Sequence, residues 1–170
     1  MRICIVLLLL SLSLPLNSHA KQMGVDYLAG EYSTSGIRVA LQPMEPQRLP
    51  LWNLNWHLEA SFNRWQQDAG DEHQQVNVLA LSPVITRQFA ALANKPLFWE
   101  FGIGVSLLDE RLFAHKNMGS HFQFEDRIGV VLKVSDEHTL SLRYMHYSNA
   151  GLASNNPGMD FLSLSYRRGF

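Results

Sequence analysis

Three side chains near the end of this 170-residue chain are of the types that turn a hydroxyl group into a nucleophile. His146 and Ser148 stand two residues apart, and Asp160 follows after a connecting segment. A serine hydroxyl attacks well once an imidazole takes its proton, and a carboxylate holds that imidazole in the required tautomer. These residue types fit a hydrolytic serine triad, provided that the elements carrying them bring the three side chains together.

Alternation of apolar and polar residues with a period of two predicts that those elements are strands. Residues 52–62 carry apolar side chains at the even positions, and residues 97–107 and 122–132 repeat the alternation, with one interruption at Asp126. The same reasoning gives eight candidate strands: Gly24 to Tyr32, Gly36 to Gln42, Trp52 to Phe62, Val76 to Thr86, Leu97 to Leu107, Phe122 to Leu132, His138 to Ser148 and Asp160 to Phe170. Polar connections are predicted at 66–73, 109–118 and 149–159, and further connections at 43–50 and 88–96.

The polar faces of these strands carry charges, which indicates a barrel with its apolar side outward. The charged residues are Glu59, Glu100, Glu125, Arg127, Arg143 and Arg167. An outer-membrane barrel has a lipid-facing apolar band and a polar interior, and eight strands leave so little space inside that opposite charges must pair. We therefore predict an all-β fold, an eight-stranded antiparallel transmembrane barrel. A soluble, lipocalin-like barrel with an apolar interior is the alternative.

Both ends of the chain indicate export to the outer membrane. Arg2, an apolar run from Ile3 to Leu16 and the sequence Ser18-His19-Ala20 predict a signal peptide, residues 1–20, cleaved after Ala20. Residues 21–170 then form a single barrel domain without cysteine. A retained anchor helix is the alternative for the leader. The final aromatic strand, which includes Tyr166 and Phe170, is similar to the C-terminal signal that the barrel-assembly machinery reads.

The composition argues against nucleic-acid partners. The formal net charge is -1, and basic residues are scattered apart from Arg167-Arg168. Binding to a phosphate backbone needs a basic patch or stripe, which this sequence lacks.

Strand phase places the three candidate residues on the lipid-facing side. His146 and Ser148 alternate in step with Leu142 and Tyr144, while Asp160 is in step with Leu162 and Leu164. Polar atoms facing lipid need partners. The residues alone fit either catalysis or an ordinary polar rim. If they are catalytic, the oxyanion donors are to be sought in the connecting loop, among Asn149, Ala150, Gly151 and Asn156.

The stretch His146-Tyr147-Ser148-Asn149-Ala150-Gly151-Leu152, followed by Asn156-Pro157-Gly158-Met159-Asp160, resembles the signature of the PagL-type lipid A 3-O-deacylases. These are eight-stranded outer-membrane barrels of Gram-negative bacteria. The resemblance implies a serine esterase, with His146 as base and Ser148 as nucleophile. Asp160 stands where the best-known members have Glu, which shortens the acid by one methylene. Asn149, Gly151 and Asn156 match positions of the family's loop and oxyanion region.

The resemblance also implies the substrate, which is the ester-linked 3-hydroxyacyl chain at the 3 position of lipid A in lipopolysaccharide. No metal or other cofactor is required. Candidate wall residues for the acyl chain are Leu142, Tyr144, Leu162 and Leu164. Two alternatives stay open, a non-catalytic structural barrel and another outer-membrane lipid esterase such as a phospholipase.

Overall fold

The computed structural model describes residues 21–50, 52–69 and 72–170. The predicted signal peptide and its cleavage site lie outside the described residues. Every regular element in the described part is a strand: β1 (Gln22–Gly30), β2 (Thr34–Gln42), β3 (Gln47–Leu49), β4 (Leu54–Ala69), β5 (Glu72–Leu92), β6 (Lys95–Leu108), β7 (Leu112–Phe113), β8 (Lys116–Asn117), β9 (Phe122–Lys133), β10 (His138–Ser148) and β11 (Met159–Gly169). Within those ranges no helix is long and apolar enough to cross a membrane.

Eight of the strands form a closed antiparallel barrel. The sheet order runs β2-β1-β11-β10-β9-β6-β5-β4, and pairing of β2 with β4 closes the ring. The short β3 pairs with the beginning of β4. We call the end of the barrel that holds the β10–β11 connection the loop end, and the opposite end, with the β9–β10 connection, the turn end. The predicted eight-stranded antiparallel barrel is confirmed.

The apolar side chains face outward, which rejects the lipocalin-like alternative. Leu79, Leu107 and Leu164 are 60%, 57% and 60% exposed, whereas the alternate positions of the same strands are buried. The buried set is mostly polar or charged over much of the barrel length. A wall of exposed hydrocarbon around a polar interior is the arrangement that suits a lipid environment.

Ion pairs fill the middle of the barrel. Among the residues whose side chains are described, four buried acids are joined to four buried arginines: Asp26, Glu59, Glu100 and Glu125 to Arg38, Arg127, Arg143 and Arg167. Arg38 lies 2.9 Å from Asp26 and 2.5 Å from Glu59, and Arg127 lies 2.5 Å from Glu59 and 2.9 Å from Glu125. Each of these eight charges therefore has a partner of opposite sign inside the low-dielectric interior.

An aromatic cluster fills the loop end above these ion pairs. The ring of Trp65 lies 4.7 Å from that of Tyr147, 4.9 Å from that of Phe161 and 6.0 Å from that of Phe113. The Tyr147 hydroxyl donates a hydrogen bond of 2.9 Å to Glu125. The cluster and the ion-pair network are thus one connected interior, with Tyr147 as a direct link between them.

The connections differ from the sequence-based expectation. Much of 66–73 is strand, because β4 continues to Ala69 and β5 begins at Glu72. Residues 88–96 belong largely to β5 and β6, which turn at Ala93-Asn94 with φ of 48° and 62°. Segment 109–118 contains the β7–β8 hairpin, and 43–50 contains β3. Trp52 precedes β4, in a turn with a φ of 59°. The extended ends of β4, β5 and β6 and the short strands β3, β7 and β8 are thus defined by cross-strand pairing and not by apolar alternation.

Glu59→Gln is expected to destabilise the barrel by about 3–5 kcal/mol. The change removes the charge that faces Arg38, Arg127 and Arg167 in the interior. Urea titration of the detergent-folded protein, followed by heat-modifiable migration in gels, measures the difference. Glu137→Gln is the control, because Glu137 is exposed in the β9–β10 turn. Equal midpoints for the two variants would contradict a structural role for the ion-pair network.

Candidate active site

Antiparallel register brings His146 and Asp160 side by side. His146 lies near the end of β10 and Asp160 at the start of β11, and the two residues are direct cross-strand partners. Asp160 Oδ1 lies 2.6 Å from His146 Nδ1, with side chains 36% and 40% exposed for His146 and Asp160. A neutral imidazole that donates from Nδ1 presents an acceptor at Nε2. The pair can therefore accept a proton at Nε2 while the carboxylate stabilises the resulting imidazolium.

Ser148 follows two residues after His146 on the same outward face, as the last residue of β10. It is partly exposed and opposite Phe124 of β9. Side chains two apart on a strand are separated by about 6.6 Å along it. Across the described residues, the hydrogen bond recorded for the imidazole is the one to Asp160, not one to the Ser148 hydroxyl. The structure thus pairs the candidate base with the candidate acid, and Ser148 lies on the same face two residues further along β10.

Tyr147 fixes the segment that carries both candidates. It is fully buried, with its ring against Trp65 and its hydroxyl on Glu125. Because neighbouring residues on a strand face opposite sides, an inward Tyr147 forces His146 and Ser148 outward. Sequence reasoning assigned Tyr147 no role, although its phase opposite to His146 and Ser148 was a readable signal.

The β10–β11 loop packs directly against the imidazole. A Cβ atom on Gly158 would meet His146 Cε1 at 2.7 Å, and the Gly158 φ is 69°. Lys116 of the β7–β8 hairpin donates a 2.9 Å hydrogen bond to the Gly158 carbonyl and also pairs with Glu31. Gly158 is therefore held against His146 by a hairpin distant in sequence. No sequence pattern connected Lys116 with the trio, whereas Gly158 is part of the motif Asn156-Pro157-Gly158-Met159-Asp160.

Asn149 holds the loop in place with its whole side chain. Its Nδ2 donates to the carbonyls of Met118 and Asn155 at 2.9 and 2.7 Å, and its Oδ1 accepts from the Gly151 amide at 3.0 Å. The Asn149 backbone amide donates to Asn156 Oδ1 at 2.8 Å. Of the oxyanion candidates, the Asn149 side chain and the Gly151 amide are thus engaged within the loop. The Ala150 amide and Asn156 Nδ2 are the remaining donors of that set.

A second carboxylate flanks the imidazole on the other side. Asp126 of β9 is the cross-strand partner of His146, just as Asp160 is on β11. This residue is the one that interrupts the apolar alternation of β9. Sequence reasoning noted the interruption but did not connect it with His146, because strand register was needed to place the two together.

The candidate wall residues share the outward face with the trio. Leu142, Tyr144, Leu162 and Leu164 are 46%, 48%, 53% and 60% exposed. A cavity of about 400 Å³ lies elsewhere, at the turn end, lined among others by His57, Glu100 and Arg167. Over the described ranges, no group of three or more His, Cys, Asp or Glu residues is arranged to hold a metal ion. The chemically suited groups therefore stand on an outer wall bordered by hydrocarbon.

A family model described as Lipid A 3-O-deacylase (PagL) matches residues 35–168. The chain belongs to the PagL family. The match includes His146, Ser148, Asp160 and the loop between them.

Relatives and solved structures agree with membership in the PagL family. The lipid A deacylase PagL of Pseudomonas aeruginosa PAO1 is 38% identical over 114 residues, which are 67% of this chain and 64% of that protein. PagL of Bordetella bronchiseptica RB50 is 43% identical over 67 residues, 39% of this chain and 38% of that protein. The matches thus span less than two thirds of those relatives.

Among solved structures, the crystal structure of the outer membrane enzyme PagL superposes with a TM-score of 0.73 at 28% identity, covering 88% of this chain and 99% of that one. Neisserial surface protein A superposes with a TM-score of 0.52 at 11% identity, covering 88% and 95% of the two chains, and shares the fold alone. The all-strand barrel predicted from the sequence is therefore the fold of the solved PagL structure.

Gly158→Ala is expected to slow the reaction of Ser148 with a fluorophosphonate probe, because the added methyl group displaces the imidazole. Gly151→Ala is the matched control. Gly151 has a φ of 80° in the same loop, yet an added Cβ there meets nothing within 4 Å. Both changes carry the backbone strain of a positive φ, about 1–2 kcal/mol, so the difference isolates the contact with His146. Labelling that falls equally in both variants would attribute the effect to strain.

Proposed function

We propose that this chain is a lipid A 3-O-deacylase of the outer membrane of a Gram-negative bacterium. It hydrolyses the ester that links a 3-hydroxyacyl chain to the 3 position of lipid A. The observation that carries the proposal is the His146–Asp160 pair beside Ser148 on the outward wall. Family membership over residues 35–168 supports the same reaction class and substrate.

In the proposed mechanism, His146 takes the proton of the Ser148 hydroxyl while the oxygen attacks the acyl carbonyl carbon. The tetrahedral intermediate collapses as imidazolium donates that proton to the departing sugar oxygen, leaving an acyl-serine. Water, deprotonated by His146, then attacks the acyl-serine carbonyl. The second tetrahedral intermediate collapses as the imidazolium returns the proton to the Ser148 oxygen, which releases the fatty acid and restores the serine. Asp160 stabilises the imidazolium at Nδ1 in both halves of the reaction.

Charge on the tetrahedral oxygen needs donors in the loop that follows Ser148. We assign this role to the Ala150 amide and Asn156 Nδ2. Ala150 has a φ of 51°, two residues after the nucleophile. The Asn156 carboxamide is oriented by accepting from the Asn149 amide. Asn149 and Gly151 contribute by shaping the loop, since their hydrogen-bonding groups are engaged there.

The outward position of the trio suits a substrate that never leaves the membrane. Lipid A diffusing in the leaflet presents its ester at the rim, with the acyl chain along Leu142, Leu162 and Leu164, which are exposed apolar residues near the trio. A barrel of this kind reaches the outer membrane through the assembly machinery, for which the aromatic C-terminal strand is the proposed signal.

Ser148→Ala and His146→Ala are each expected to fold and insert but to leave lipid A fully acylated. Each change removes a group that forms or activates the nucleophile, whereas neither residue belongs to the buried interior. Mass spectra of lipid A from a Gram-negative host, with and without the wild-type gene, provide the measurement. Loss of the 3-position chain in either variant would discard the assignment.

Mass spectra of both lipid A and glycerophospholipids from the same cells separate the alternatives. A structural barrel leaves lipid A unchanged even with the wild-type gene, and Ser148 then resists serine-directed inhibitors. A phospholipase releases glycerophospholipid chains instead, and activity abolished by a calcium chelator would favour it. Loss of the 3-position chain from lipid A, loss of a chain from glycerophospholipid and no change in either are three distinct outcomes.

The deacylase activity of Asp160→Asn is expected to lie between that of wild type and that of Ser148→Ala, reduced by about 10² to 10⁴-fold. The amide keeps the size of the acid but removes the charge that stabilises the imidazolium. Asp126→Asn is the comparison, because Asp126 flanks His146 without a recorded hydrogen bond to it and is expected to matter less. Full activity of Asp160→Asn together with a large loss in Asp126→Asn would reassign the acid to Asp126.

A further inference from the structure

Two donors converge on a single oxygen of Asp160. Oδ1 accepts from His146 Nδ1 at 2.6 Å and from the Tyr144 hydroxyl at 2.7 Å. Tyr144 lies two residues before His146 on the outward face of β10 and is 48% exposed. Its register partner is Leu162, so its side chain reaches Asp160 along the diagonal between the strands. Tyr144, which was expected to be a wall residue for the acyl chain, thus contacts Asp160 of the trio.

The position of Asp160 makes such a contact useful. Its carboxylate is 40% exposed on an outward wall, with Leu162 and Leu164 continuing the same face. A phenol reaches far with few rotatable bonds, so it restrains its partner at a small entropic cost. A hydrogen bond to a charged acceptor is also stronger than one between neutral groups. The hydroxyl therefore confines the carboxylate at the oxygen that the imidazole uses.

The length of the acid adds a second reason. An aspartate carries its carboxylate on one methylene, one fewer than a glutamate, so Asp160 has a short reach toward His146 from the neighbouring strand. We propose that Tyr144 is a positioning residue that holds the shorter Asp160 carboxylate on His146 Nδ1. The proposal rests on the proposed function of the trio. Tyr144 then has a role in addition to that of a wall residue, and its hydroxyl performs that role.

Another outward tyrosine provides a matched comparison. Tyr166 of β11 is 45% exposed, and its hydroxyl is 2.7 Å from His138 Nδ1. That contact lies toward the turn end, far along the strand from Asp160. Tyr144→Phe and Tyr166→Phe remove the same atom from the same face and keep the ring, so they differ in the partner that loses a hydrogen bond.

Steady-state release of fatty acid from purified lipid A in mixed micelles tests the proposal. Tyr144→Phe is expected to lower kcat about tenfold with KM unchanged, the pattern of an interaction that acts in the transition state. The rate of Ser148 labelling by a fluorophosphonate is expected to fall in parallel. Tyr166→Phe is expected to retain wild-type values. A raised KM with unchanged kcat would overturn the proposal and return Tyr144 to the substrate wall.

The length argument is tested by repeating Tyr144→Phe in an Asp160→Glu background. The longer acid is expected to reach the imidazole without help, so the same loss of hydroxyl then costs less than about threefold. An undiminished loss in that background, or an inactive Asp160→Glu, would overturn the proposal that the hydroxyl serves the shorter acid.

Ser148→Ala, assayed alongside, keeps the two hypotheses apart. If that variant still deacylates lipid A, the proposed function fails. If Ser148→Ala is inactive and Tyr144→Phe matches wild type in both kcat and labelling, only the positioning role fails. Heat-modifiable migration of every variant shows whether the barrel has folded, so a loss caused by misfolding is recognised as such.

Discussion

Charges buried inside a narrow barrel must be matched within the barrel, and this constraint organises the whole structure. Asp26, Glu59, Glu100 and Glu125 meet arginines at distances of direct ion pairing, deep in the interior. A single unpaired charge there would be expensive, since the surroundings offer little solvation. The charged side chains of each strand must therefore face the interior, which fixes the set of alternate residues that faces outward. That arrangement sends hydrocarbon outward over most of the wall and, at the end of β10 and start of β11, sends His146, Ser148 and Asp160 outward as well.

Tyr147 connects this constraint to the candidate chemistry. Its ring belongs to the aromatic cluster, and its hydroxyl ends on Glu125, an acid of the ion-pair network. The two residues on either side of it in sequence are the proposed base and nucleophile. Rigidity of the interior is thus transmitted through one backbone segment to the outer wall. Precise placement of a site benefits from such support, because small displacements of catalytic groups are costly in rate.

Sequence reasoning succeeded where strand phase alone decides the outcome. Alternation located the eight barrel strands and the outward face, and it put Asp160 in step with His146, because side-chain direction repeats every two residues. It failed where contacts between distant segments decide. The lengths of β4 and β5, the β7–β8 hairpin, the contact of Gly158 with His146 and the engagement of Asn149 depend on partners remote in sequence. Apolar alternation also placed Trp52 at the start of the strand 52–62, whereas Trp52 lies in the turn that precedes β4.

In the proposed function, the candidate trio lies on the outer wall of the barrel, so the protein forms only one side of the binding site. The 400 Å³ cavity is at the other end of the barrel, and neither His146 nor Ser148 lines it. The neighbouring lipids would then form the other side of the site, and the thickness and order of that side would be those of the bilayer. Selectivity among acyl chains would then depend on both the protein and the leaflet, because it would be set by the depth of each ester bond in the membrane relative to the rim of the barrel. The same polypeptide would then be expected to act on a different range of chains in a thinner or stiffer membrane.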